Sequence, residues 1–314
     1  MSAAPIYLDT AALYAAISRA QAVDAIQAAL LAGFDTGTDL VRSTEKLSRG
    51  DFLIMPSEVG AHAGIKIITI SPENPKNDLP RIQGLYVLFD SETLTPRILM
   101  EGAALSNIRT PAVSFAATRD ALLRSADPLD VVIFGTGPQG IDHLETLKAV
   151  LSSRREIASV TFIVRTPRAI DVAGAHVVAA GSVDAENAIA AAGLIICATT
   201  ARSPIFSSAS VRSDAVIIAV GSHEPDAREL DSALMARSQV IVEDVPTALR
   251  ESGDVILAIA EGALDADKLI PLADVVCGRT ALQADRPVVF KSSGMSWEDL
   301  AVAAAISRSI APDR

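Results

Sequence analysis

Asp130-Val-Val-Ile-Phe-Gly135-Thr136-Gly137-Pro138-Gln139-Gly140 runs directly into Ile141-Asp-His-Leu-Glu-Thr-Leu-Lys-Ala-Val150. The apolar residues after Asp130 have the pattern of a strand buried on both faces, and Ile141, Leu144, Leu147 and Val150 fall at helical spacing. Strand, glycine turn and helix in that order give G-x-G-x-x-G a physical meaning. Gly135 allows the tight turn, Gly137 lets the backbone approach a pyrophosphate, and Gly140 lets helix and strand pack closely, with the phosphates at the helix N-terminus. The stretch is expected to be a dinucleotide-binding turn.

Beyond this turn, strands alternate with helices, which predicts a parallel sheet with strands at 131–134, 160–164, 194–197, 216–220 and 240–242 and a shorter one at 176–178. Before it the pattern is different. A short strand at 6–9 precedes a helix capped by Asp9 or Thr10, running through Leu13, Ala16, Ile17, Val23, Ile26 and Leu30 and ended by Gly33. Short β-type runs at 40–44, 51–56 and 64–70, then a hairpin at 84–90 and 96–100, suggest an antiparallel sheet. Residues 101–124 read as mostly helical, with Arg109-Thr110-Pro111 as a break, and 290–306 read as a turn and a helix that crosses back. The expected class is α/β: a Rossmann-type parallel-sheet domain in mid-chain, residues 121–293, and an α+β domain formed by residues 1–120 with 294–314.

The 314 residues are half apolar and 4% aromatic, and no charge-free apolar run approaches the roughly 18 residues of a membrane span. The first residues lack a basic region followed by an apolar stretch, so no secretory signal is read. Cys197 and Cys277 make neither a metal pattern nor a disulfide framework, and the expected compartment is a reducing cytoplasm. The formal charge of −11 opposes a general attraction to nucleic acid.

Two sets of cations stand out. Lys66 interrupts Ile65 and Ile67-Ile68 in a run that otherwise looks fully buried; it either alternates outward to solvent or is paired and used, because a buried lysine is costly otherwise. The second expected strand of the parallel sheet ends in Val164-Arg165-Thr166-Pro167-Arg168, where an NAD site usually carries a carboxylate. A carboxylate would repel a 2′-phosphate, whereas two guanidinium groups and a hydroxyl pair with it. The expected cofactor is NADPH, with NADH weaker.

Ordered motifs across the chain resemble those of the ornithine cyclodeaminase/mu-crystallin family. They are Met55-Pro56 before Gly64-Ile-Lys66, Asn74-Pro75, Gln83-Gly84, Asn107-Ile-Arg109-Thr110, the glycine turn, Cys197-Ala-Thr199-Thr200, Val220-Gly221, Glu229-Leu230-Asp231, Glu251-Ser-Gly-Asp254 and Phe290-Lys-Ser292-Ser-Gly294-Met295. The resemblance implies a homodimer whose N-terminal domain, completed by the C-terminal helix, holds the substrate and the subunit contact. It also implies that Arg42 and Arg109 grip a substrate carboxylate and that Lys66 works beside the reacting carbon. For the cofactor it implies Gly137, Pro138 and Gln139 at the pyrophosphate, Arg165, Thr166 and Arg168 at the 2′-phosphate, and Thr110, Thr199, Val220 and Ser292 near the rest.

One departure bears on the reaction. Cyclodeaminases of the family carry an acidic catalytic residue in the loop after Val-Gly; here the loop reads Gly221-Ser222-His223-Glu224-Pro225-Asp226, with His223 at that position. The expectation is therefore an NADPH-dependent reductase of small cyclic ketimine acids, Δ1-pyrroline-2-carboxylate and Δ1-piperideine-2-carboxylate, with Lys66 and His223 as the reacting polar groups. An ornithine or lysine cyclodeaminase, an alanine dehydrogenase-like oxidoreductase and a non-catalytic NADPH-dependent binding protein are the alternatives.

Overall fold

The computed structural model describes residues 4–310. The chain divides at 113/114 and again at 294/295 into two compact units. In the first, β1 (Ile6–Leu8) leads to α1 (Thr10–Ala16) and α2 (Arg19–Leu31). The single helix expected here is two. Asp9 caps α1 by accepting from the Ala12 N–H, but Ile17 is extended and Ser18 starts α2 through a reciprocal capping box with Gln21. That Ser-x-x-Gln box supplies a new helix start inside the apolar run and satisfies N–H groups that a continuous helix would not have orphaned. Gly33, at φ +91°, follows the helix end as expected.

Five further strands complete a six-stranded sheet: β2 (Ser43–Leu47), β3 (Gly50–Val59), β4 (His62–Ile70), β5 (Ile82–Asp90) and β6 (Pro96–Glu101). The order is β1-β6-β5-β4-β3-β2, antiparallel except for β1 beside β6. Next comes α3 (Gly102–Leu122), inside which the chain passes from the first unit to the second. Pro111 does not break this helix as expected. A proline removes the N–H that would bond the carbonyl four residues back, and that carbonyl, Asn107 O, accepts from Arg19 Nη1 at 3.4 Å.

The second unit contains β7 (Leu129–Phe134), α4 (Pro138–Leu151), β8 (Ile157–Val164), β9 (His176–Ala179), α5 (Val183–Ala191), β10 (Leu194–Cys197), β11 (Val216–Ala219), α6 (Ser232–Arg237), β12 (Gln239–Val242), α7 (Val245–Glu251), α8 (Gly253–Ala260), β13 (Ile270–Pro271), α9 (Leu272–Val276) and β14 (Val288–Lys291). All eight strands are parallel, in the order β9-β8-β7-β10-β11-β14-β12-β13. The first five places follow the doubly wound pattern, so the switch point lies between β7 and β10. Residues 288–291, of which 290 and 291 were expected to begin a turn, instead form a central strand between β11 and β12. The run is too short to show a period of its own, and pairing on both sides makes it a strand. Val132, Ile195, Ile217 and Val289 meet in the core of this unit, and so does Cys197.

From Ser296 the chain forms α10 (Ser296–Ile310) in the first unit, packed on β3, β4 and β5 and against α2. The sheet face beneath α10 carries Leu53, Met55, Lys66, Ile68, Tyr86 and Leu88, all buried. The opposite face alternates to Phe52, Ile67 and Leu85, which are exposed. No helix among the described residues is long and apolar enough to cross a membrane.

Candidate active site

The glycine turn at the switch point separates into three physical requirements. Gly135 sits at φ +101°, and a Cβ there would lie 2.6 Å from the Ala198 carbonyl oxygen. A Cβ at Gly140 would lie 2.3 Å from the Gly135 oxygen and 3.2 Å from Ile133 Cγ2. Gly137 differs: nothing stands within 4 Å of its would-be Cβ, and as the cap of α4 it offers the helix no side-chain acceptor. The protein itself demands the first and third glycines. The second borders open space at a helix start whose N–H groups lack a side-chain cap, which suits a pyrophosphate. Thr136 and Pro138 are exposed there. Behind the turn, buried His143 meets the Gln139 carbonyl through Nδ1 at 2.7 Å and the Ser114 hydroxyl through Nε2 at 3.0 Å. With Nδ1–H donating to the carbonyl, Nε2 accepts from the hydroxyl. At the end of β8, Arg165, Thr166 and Arg168 are exposed. Neither guanidinium has a hydrogen bond or ion pair among the described residues.

Thr199, Val220 and Ser292 follow the ends of β10, β11 and β14, three neighbours in the sheet. Glu229, quoted above only as part of a motif, is a buried carboxylate that ties two of these loops together. Glu229 Oε1 accepts from the Thr199 N–H at 2.8 Å and its hydroxyl at 2.7 Å, while Oε2 accepts from the Gly221 N–H at 2.8 Å. Burial pushes this carboxyl above its ordinary range, opposed by Lys291 and by the Thr199 hydrogen bonds. Asp254 in turn accepts from the N–H groups of Glu229 and Leu230, both at 2.8 Å, and pairs with buried Lys291 at 3.1 Å. The Ser292 hydroxyl donates to Glu243 at 2.5 Å. His223 is exposed, and its neighbour Glu224 is paired with Arg202, which also reaches Asp226 at 2.6 Å. A lysine ending the apolar run Val288-Val-Phe-Lys291 was a signal of the same kind as Lys66.

In the first unit Lys66 faces inward and is 1% exposed. Its Nζ lies 2.6 Å from Asp299 Oδ2 and 3.2 Å from Ser106 Oγ. Arg109, from α3, places Nη1 2.6 Å from Glu298 Oε2 and Nε 3.4 Å from Asp299 Oδ1. Thr110 follows it and is also buried. Two cations and two carboxylates thus share one buried cluster, since an unpaired charge there would be costly. Burial first and Arg109 second draw the Lys66 ammonium down to about 8, with Asp299 pulling upward. Tyr86, opposite Lys66 in register, has a buried hydroxyl with no hydrogen-bond partner among the described residues. It reaches over Gly64, where a Cβ would lie 1.9 Å from the hydroxyl oxygen. Arg42, half-buried, precedes β2; extending the Ser43–Ile54 register by one residue sets it opposite Met55, which pairs with Lys66. Glu298 and Asp299 were missed in the sequence. Their signal was an acidic pair opening a helix that is otherwise apolar on nearly every side, where a carboxylate needs a partner.

A doubly wound sheet with this cradle, in a chain with a buried lysine–arginine cluster, defines an NAD(P)H-dependent oxidoreductase. The chain belongs to the ornithine cyclodeaminase/mu-crystallin family, whose model matches residues 11–312. It is 31% identical over 271 residues to a Δ1-pyrroline-2-carboxylate reductase of Colwellia psychrerythraea, covering 83% of this chain and 84% of that one. With the ketimine reductase mu-crystallin of Rattus norvegicus it shares 32% over 286 residues, 88% of each chain. Among solved structures, the Δ1-pyrroline-2-carboxylate reductase of Thermococcus litoralis in complex with NADH and L-proline superposes with a TM-score of 0.85 at 27% identity, covering 97% of each chain.

Proposed function

We propose that this protein reduces cyclic ketimine acids with NADPH, Δ1-pyrroline-2-carboxylate to L-proline and Δ1-piperideine-2-carboxylate to L-pipecolate. The observation that carries this reading is the buried Lys66 beside Arg109, a proton donor next to a carboxylate fork in one cluster. Arg42 and Arg109 hold the substrate carboxylate in one orientation. When bound, the reduced nicotinamide supplies the hydride that the ring carbon of the C=N bond takes up. Lys66 supplies or keeps one proton at the ring nitrogen, so imine, hydride and proton together give the neutral secondary amine, which then takes a further proton from water. His223 is a second polar contact to the ring or a proton relay.

Around the cofactor, Gly135 and Gly140 shape the turn, and Gly137, Pro138 and Gln139 surround the pyrophosphate. Arg165, Thr166 and Arg168 pair with the 2′-phosphate, making NADH the weaker reductant, and Thr110, Thr199, Val220 and Ser292 line the remainder. Both arginines are exposed and have no partner among the described residues, which supports the phosphate reading. Engagement of Glu224 by Arg202 counts against its serving as the acidic group of a cyclodeaminase. The open apolar face of the first unit's sheet supports a homodimer, and Cys197 and Cys277, neither in a disulfide among the described residues, suit a reducing compartment such as the cytoplasm.

The test is NADPH absorbance on adding Δ1-piperideine-2-carboxylate or Δ1-pyrroline-2-carboxylate, with NADH in parallel and ammonia release from ornithine with NAD measured beside it. NADPH consumption without ammonia is expected. Ammonia release without net redox change would make the protein a cyclodeaminase, and tight NADPH binding with no turnover would make it a binding protein.

A further inference from the structure

We propose that Asp299 is a positioning residue for Lys66, one oxygen holding the ammonium charged and aimed while the other is shared with Arg109. This rests on the ketimine-reductase reading and names the group that makes Lys66 usable in it. The geometry is specific: Asp299 Oδ2 lies 2.6 Å from Lys66 Nζ, and Oδ1 lies 3.4 Å from Arg109 Nε. A second acceptor is Ser106 Oγ at 3.2 Å, whose own hydrogen is committed to the Gly102 carbonyl at 3.0 Å. Two of the three N–H directions of the ammonium are thereby taken, and the third is left for a ligand nitrogen.

The carboxylate is delivered from a rigid support. The first turn of α10 is held by Asp39, which accepts from the Trp297 N–H at 2.9 Å, and by Glu298, which accepts from the Met295 N–H at 3.2 Å. Leu300, Val302 and Ala303 then bury the helix that follows. Held in this way, Asp299 cannot follow a drifting lysine; the lysine is fixed to it.

Among the described residues, Asp299 is the carboxylate hydrogen-bonded to the Lys66 ammonium, and Glu298 adds a weaker upward pull through space. From α10, Glu298 is bonded to Arg109 and to the Met295 N–H; from α3, Arg109 repels the ammonium; from β5, the Tyr86 hydroxyl is held neutral by burial. Asp39, ahead of β2, is occupied by Ser57 and Trp297. Without the Asp299 charge, Lys66 would meet Arg109 in a desolvated setting and release its proton at lower pH.

Asp299→Asn keeps the shape of the side chain and removes its charge. With lysine labelled by 13C at Cε, Lys66 is titrated in the wild type, in Asp299→Asn and in Ser106→Ala, and the kcat–pH profile and NADPH dissociation constant are measured alongside. In Asp299→Asn the Lys66 midpoint is expected to fall by about one pH unit or more, with the falling limb of kcat moving by the same amount. NADPH affinity should stay within about twofold, and Ser106→Ala should shift the midpoint less. An unmoved midpoint in Asp299→Asn overturns the assignment. So does a wild-type Lys66 that is already neutral at neutral pH, an observation that stands even where the variant does not fold. Absence of ketimine reduction by the wild type would instead remove the reductase reading, and the titration still decides Asp299.

Discussion

Lys66 ties the proposed reaction to pH. Its ammonium is lowered to about 8, chiefly by burial. The charged form is the one that keeps a proton on the ring nitrogen, so kcat for ketimine reduction should fall as pH rises through about 8; a flat profile there would remove Lys66 as the proton donor. Lys66→Met should lower kcat by about 100-fold or more. On the cofactor side, Arg165→Ala and Arg168→Ala should each raise the KM for NADPH by about tenfold while leaving that for NADH nearly unchanged. Equal losses with both cofactors would mean that neither arginine reads the 2′-phosphate. For His223→Ala, kcat should fall more than KM rises, and an unchanged kcat would take His223 out of the mechanism. Lys66 and Arg165 were legible in the sequence because a charge inside an apolar run, or at a strand end that usually carries a carboxylate, departs from its surroundings. Glu298 and Asp299 were not. Acidic residues in a first helical turn ordinarily serve the helix dipole, and the partner of Asp299 lies 233 residues away.

At the scale of elements, the glycine turn gives a contrast that separates folding from binding. Gly140→Ala and Gly135→Ala put a Cβ within 2.3 Å and 2.6 Å of carbonyl oxygens, so both should destabilise the protein by about 2 kcal/mol or more. Gly137→Ala meets nothing in the protein and keeps φ at −75°. It should leave the unfolding midpoint nearly unchanged while weakening NADPH by about tenfold, as read by cofactor fluorescence. Unweakened binding would place the pyrophosphate elsewhere. The strand–turn–helix of this segment was readable because its signal is local. By contrast, Ser18 splitting the first helix and α3 running through Pro111 depended on specific partners: the Gln21 side chain in one case, and the Arg19 guanidinium on the Asn107 carbonyl in the other. β14 became a strand because β11 and β12 flank it, which a four-residue run cannot announce.

For the whole molecule, two bulk properties follow from the first unit. Ile67 and Leu85 are cross-strand partners on its open sheet face, exposed by 39% and 43%. A homodimer that covers this face should be lost in the Ile67→Glu/Leu85→Glu double variant, as read by light scattering; a dimer that persists would lie on another surface. Stability should also respond to Asp39, whose carboxyl burial raises to about 6 from 3.8. A raised acid binds its proton more tightly in the folded state, so its contribution is complete below the unfolded value and is lost as pH rises through about 6. Asp39→Asn, whose amide oxygen can accept from the Trp297 N–H while its NH2 donates to the Ser57 hydroxyl, should gain on the wild type by roughly 3 kcal/mol across that window in denaturant unfolding. The sequence by itself determined the class of fold, the strand–turn–helix around the glycines, the family and which cations stand out from their surroundings, because each is written in local periodicity, in glycine spacing or in a charge out of place. Only the tertiary structure decided that Lys66 faces inward and which carboxylates it shares with Arg109. Those partners come from β4, α3 and α10, segments far apart in the chain, and the burial that makes their pairing obligatory exists only once α10 lies on the sheet.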